Sequence, residues 1–190
     1  MISRSLKVSL QKLTFSTLLL FNVLVQIACK KTIESNSNTI HDFSIRNFFD
    51  AEAIRLSNSK TAVRKITIKG NEFEEIKLTP KNWNEEFVIF SECDINKPAW
   101  VRSYSLDSIV KPDYTIVTYS TDENIPVKKI ILIKNKTEIL SISIEKNTSN
   151  FIYESSQNLI YSRKNGYEII GVQHVYFLSP NQYRISTIFL

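Results

Sequence analysis

The chain has 190 residues, with 24 basic against 19 acidic side chains and a formal charge of +5. Three glycines are too few for a phosphate-cradling loop, and two cysteines exclude a disulfide framework. The length fits one domain with a real hydrophobic core behind a short leader.

The first residues carry Arg4, Lys7 and Lys12 and no acid, and an apolar run from Leu13 to Ala28 follows. A spanning helix needs roughly 20 mostly apolar residues. This run is shorter and holds Asn22 and Gln26, so it reads as a secretory signal covering residues 1–28. Its end, Gln26-Ile27-Ala28-Cys29, resembles the lipobox of bacterial lipoproteins. The resemblance implies that Cys29 becomes the first mature residue and carries a diacylglyceryl group as a thioether. The membrane is then a partner through that anchor. Lys30 after the cysteine implies, by the same resemblance, the outer membrane, and no acidic run points to surface display, so the periplasmic face is expected.

Losing residues 1–28 leaves 162 residues with 21 basic and 19 acidic side chains, near +2. The basic excess largely disappears, and with it the reading of a nucleic-acid partner, which would want a basic stripe. With Cys29 acylated, Cys93 has no disulfide partner. Residues 29–41 comprise the anchor and a polar, patternless tether with a reach of about 20 Å. A single globular domain is expected over 42–190.

Asp42 or Ser44 caps a first helix, with Ile45, Phe48, Phe49, Ala53 and Leu56 on one face and Asn58-Ser59 at its end. Two strands at 62–69 and 72–78 flank a Gly70-Asn71 turn. Pro80 breaks the chain, and Asn82 caps a second helix whose stripe is Trp83, Phe87, Phe90 and Cys93. From Trp100 onward, period-two strands are expected at 100–106, 114–121, 127–134, 138–145, 151–154, 158–163, 167–178 and 182–190. Their short polar links, Asn165-Gly166 among them, leave no room for crossover helices. The expected fold is α+β. It is a curved antiparallel sheet or partly closed barrel of about 8–10 strands, preceded and covered by two short helices. Tyr-x-Ile recurs at Tyr114, Tyr167 and Tyr183, as strand-loving residues do.

Little in the chain offers chemistry. His41 falls in the tether, and His174 lies on a mostly apolar strand face, so a zinc site is not expected. Cys93 reads as a small apolar residue of the helix stripe, its flanking acids raising the thiol pKa. Glu74 and Glu75 point to opposite faces of a strand, and Glu85 and Glu86 are expected on the solvated side of the second helix. No Gly-x-Ser-x-Gly elbow exists.

The most distinctive segment is Asp94-Ile-Asn-Lys-Pro-Ala-Trp100. With Gly166-Tyr167-Glu-Ile169 and Tyr183-Arg-Ile185 it is similar to a pattern in small lipoproteins of Gram-negative envelopes, over residues 82–190. That likeness implies a class and no mechanism. Asp94, Trp100 and His174 are candidates for lining a ligand or partner site. The expectation is a non-enzymatic envelope protein without metal or cofactor. It would bind an apolar ligand in a groove between helices and sheet. The alternatives are an envelope protein bound as an accessory subunit of an outer-membrane complex and, third in order, a hydrolytic enzyme with His174 beside Cys93 or clustered acids. Nothing in the sequence fixes an oligomeric state.

Overall fold

The computed structural model describes residues 43–190. The leader, Cys29, the tether and His41 lie outside the described residues. Two helices and nine strands follow in the order α1 (Ile45–Asn58), β1 (Val63–Lys69), β2 (Glu72–Leu78), α2 (Trp83–Ser91), β3 (Ser105–Val110), β4 (Thr115–Ser120), β5 (Val127–Lys134), β6 (Ile139–Ser149), β7 (Tyr153–Ser162), β8 (Gly166–Val175) and β9 (Asn181–Phe189).

All strands join one antiparallel sheet in the order β2-β1-β9-β8-β7-β6-β5-β4-β3, curved and not closed. The expected α+β sheet therefore stands as an open sheet. β3 to β9 form a meander, each strand beside its predecessor. The β1–β2 hairpin joins last in space, with β1 pairing along β9 from Val63–Phe189 to Lys69–Tyr183.

The helices start where their caps allow. Ser44 accepts from the Asn47 amide at the head of α1, and Asn82 from the Asn84 amide at the head of α2. Both helices press their aromatic stripes on the same face of the sheet. Strand register puts Val63, Leu132, Ile142, Ile144, Leu159, Tyr161, Tyr167, Ile169 and Phe189 on that helix face. Phe49 stacks on Phe90 at 4.8 Å between ring centres and meets Tyr161 edge-on at 5.1 Å. Phe87 touches Tyr161 and Tyr167, and Trp83 touches Phe189. Such pairs contribute about 0.5–1.5 kcal/mol each beyond the area they bury.

The expected strand at 100–106 is corrected by the structure. Residues 100–102 make turns, and β3 begins at Ser105. Trp100 and Val101 both bond back to the Lys97 carbonyl, so the backbone there closes on itself. The two short strands expected at 151–154 and 158–163 are one continuous β7, and β6 runs on through Asn147-Thr148-Ser149. Those polar runs looked like loops because they lack alternation. They stay in the sheet because an unbroken ladder pairs Ser149 with Glu154 and Ser141 with Ser162.

Candidate functional site

Asp94 sits just past α2 and is buried. Its Oδ2 accepts from the Ser44 hydroxyl at 2.5 Å and from the Arg46 amide at 2.9 Å, and its Oδ1 accepts from the Asn96 amide at 2.8 Å. Asn96 Nδ2 donates to the Phe43 carbonyl at 2.8 Å. Asp94 is thus a second cap on α1, its charge set against the helix's positive end. Replacing it with Ala strands the Ser44 hydroxyl and two amides, and should cost about 2 kcal/mol. Urea unfolding of Asp94→Ala against Asp94→Asn measures this, and a loss below about 0.5 kcal/mol would reject the capping role.

Trp100 lies on the same loop, half-buried against the core, with Lys97 Nζ 4.1 Å from its ring centre. His174 is elsewhere. Register places it on the outer face of β8, opposite Glu154 of β7 and away from the helices. It borders an open groove of about 440 Å³ shared with Asn124, Lys128, Asn147, Ser156 and Val172. The three candidate residues do not converge: Asp94 and Trp100 serve the helix side of the sheet, and His174 the other. Tyr167 and Tyr183 stand on the helix face of neighbouring strands, while Tyr114 lies apart in the β3–β4 turn.

Cys93 is fully buried, its Sγ 3.3 Å from the Ile89 carbonyl. Burial pushes its thiol up to about 11, against the lowering effect of Lys146 and Lys97; the neighbouring Glu92 is the smallest contribution. The folded state therefore holds this proton more tightly than the unfolded chain. The stability so gained is complete below about pH 9 and is lost as pH rises towards about 11. The tyrosines Tyr104, Tyr161 and Tyr167, also raised chiefly by burial, add to the decline from about pH 10 upward. Cys93→Ala should flatten the pH 9–10 part of the curve, and native Cys93 should react with thiol reagents only as fast as the domain opens.

The groups that sequence reasoning missed are two carboxylates. Glu52 of α1 is buried and accepts from the Tyr161 hydroxyl of β7. Arg55 grips it at 2.7–3.1 Å, and Arg163 reaches it at 3.2 Å while also bridging to Glu138 at 2.7 Å. Glu86 of α2 accepts from the Tyr167 hydroxyl of β8 and from Lys65 of β1 at 2.6 and 2.9 Å. The expected solvated Glu86 is corrected: it faces the sheet, and only Glu85 is exposed. Tyr161 and Tyr167 are direct cross-strand partners, so two adjacent phenols key two different helices to the sheet.

The signal was present in the spacing. Glu52 stands with Phe49, Ala53 and Leu56 at helical intervals, and Glu86 stands with Trp83, Phe87 and Phe90 in the same pattern. An acid inside an apolar stripe is buried against a donor. The space between helices and sheet, where a groove is expected, holds these rings and carboxylates in mutual contact. Among the described residues no group of three or more His, Cys, Asp or Glu side chains is arranged to hold a metal ion. No helix among them is long and apolar enough to cross a membrane.

No protein-family model, curated protein or solved structure matches the chain.

Proposed function

We propose that this chain is a lipid-anchored protein of the cell envelope, held through Cys29, that works by binding a partner polypeptide along the free edge of β3. The observation that carries the binding surface is the contrast between the two sheet edges. β2 guards its edge with Glu72, Glu74, Glu75 and Lys77. All six residues of β3 are exposed, its only charge is Asp107, and it presents Leu106, Ile109 and Val110 to solvent. An unguarded strand edge offers unpaired amides and carbonyls to an incoming extended segment, with pockets between alternate side chains for selectivity.

A binding role suits the remaining chemistry. Glu52, Glu86 and Asp94 are engaged in holding the helices, and Cys93 is sealed. An apolar small ligand between helices and sheet is the less supported reading, since aromatic rings fill that space. The anchor is tested by globomycin, under which the precursor should accumulate. The partner is tested by a photo-crosslinking residue at Ser108 in the full chain, expressed in its own envelope. A discrete adduct is expected, and it should vanish when Leu106→Lys and Val110→Lys guard the edge. Persistence of the adduct in the guarded variant, or its absence throughout, would reject the edge.

A further inference from the structure

The β6–β7 and β8–β9 connections meet at one end of the sheet. Tyr153 pairs with Val175, and the Tyr176 amide donates to the Ile152 carbonyl at 2.8 Å, so the two tips form one unit. That unit presents Phe151 and Phe177 at 93% and 92% exposure, with Ile152, Tyr176 and Leu178 also exposed beside them. Tyr176 and Phe177 rings lie 4.4 Å apart. Phe177 has φ of +70°, a left-handed conformation that a bulky residue rarely takes. The strained backbone at this position carries a ring that points into solvent. Neither tip holds a charge: residues 147–153 and 175–183 contain no Asp, Glu, Lys, Arg or His.

We infer that these paired tips enter the interface of a phospholipid bilayer and set the orientation of the domain on it. Uncharged protruding aromatics match the boundary between headgroups and acyl chains, where ring edges meet polar groups and no ion is desolvated. The choice of lipid over protein rests on the anchor reading. Cys29 lies 14 residues before Phe43, so even fully extended chain holds the domain within about 50 Å of the membrane. At that distance the bilayer is the apolar surface at the highest effective concentration.

The test uses the full chain as processed, its mass reporting whether Cys29 is acylated. A bimane fluorophore is placed on Phe177→Cys, and separately on Lys136→Cys in the β5–β6 turn; buried Cys93 stays unlabelled. The protein is reconstituted in phosphatidylethanolamine–phosphatidylglycerol vesicles carrying nitroxide on the acyl chains. Stronger quenching at position 177 than at 136 is expected, and equal quenching overturns the inference. If the mass shows no acyl group, the anchor reading fails on its own, and the same comparison, repeated in Cys29→Ser chain at saturating lipid so that only position 177 or 136 is labelled, still decides the tips. In unacylated Cys29→Ser chain without residues 1–28, whose deletion leaves every element of the described core in place, Phe151→Ser should weaken vesicle partitioning about tenfold. Unchanged partitioning overturns the inference. A 177 bimane unquenched by lipid, together with a photo-crosslinking residue at 177 that captures a protein in native envelopes, overturns it in favour of a protein contact.

Discussion

Glu52→Ala is expected to lower the stability of the domain by about 3–5 kcal/mol, the cost of removing one partner from a buried charged network. For a domain of this size that is a fall in melting temperature of roughly 10 °C. The loss is uneven across the partners. Arg55 and Arg163 are each about one-third exposed and can turn to water. The Tyr161 hydroxyl cannot, because its ring is enclosed by Phe48, Phe49, Phe87 and Phe90. Most of the cost is thus an unpaired buried phenol. Tyr161→Phe in the Glu52→Ala background should then recover part of the loss, and a double-mutant cycle should show coupling of 1 kcal/mol or more, about the value of a charged hydrogen bond. Strict additivity of the two substitutions would reject the Glu52–Tyr161 bond as the main contribution.

Gly166→Ala should cost about 3 kcal/mol or more, by a different route. Gly166 opens β8 with φ of +124°, a region that side chains avoid. A Cβ there would lie 1.9 Å from the Thr187 carbonyl oxygen and 2.9 Å from its carbon. Both are backbone atoms of β9, and no rotamer change relieves the contact. Gly171→Ala is the control. Its Cβ would meet the Tyr183 ring at 2.4–2.6 Å, and a ring can swing aside at the cost of the Gln157–Tyr183 hydrogen bond. A loss of about 1–2 kcal/mol is expected there. Guanidinium unfolding of the two variants should rank them in that order, and equal losses would contradict the close approach of β8 and β9.

Gly166 also shows how far local sequence reaches. Asn165-Gly166 reads as a tight hairpin turn, and a turn does form. But Ser162 pairs with Gly166, so the loop is Arg163-Lys164-Asn165 and the glycine belongs to the strand. Its need for glycine comes from β9, distant in sequence. The helices were legible because burial follows their 3.6-residue period and their caps are local: Ser44, Asn82 and the stripes of Phe49 and Phe87 stand as read. The β3 segment was not, because Ser105–Val110 is an exposed edge with no buried face to impose alternation. The polar middle of β7, Ser155 to Asn158, was lost for a related reason: ladder bonds hold it while its side chains are too polar to show a face.

The candidate site was legible only in part. Asp94 stood out by its neighbours, and its place under the head of α1 depends on residues some fifty positions earlier in the chain. The buried Glu52 and Glu86 followed a helical stripe that an apolar count passes over. His174 was read on an apolar strand face, but β8 ends at Val175 and its parity turns His174 to the outer face, away from Asp94.

The position of β9 has a consequence for how the domain is made. β9 lies inside the sheet, third from one edge, between β8 and β1. Val63, near the start of the domain, has no seat until Phe189 has arrived. The β1–β2 hairpin that completes one side of the sheet must therefore wait for β9, and its long-range pairing is slow by nature. The meander from β3 to β8 needs no such wait, because each of its strands pairs with its immediate predecessor. Topology thus orders the assembly: the local meander comes first, and the seam between β1 and β9 is its closing step.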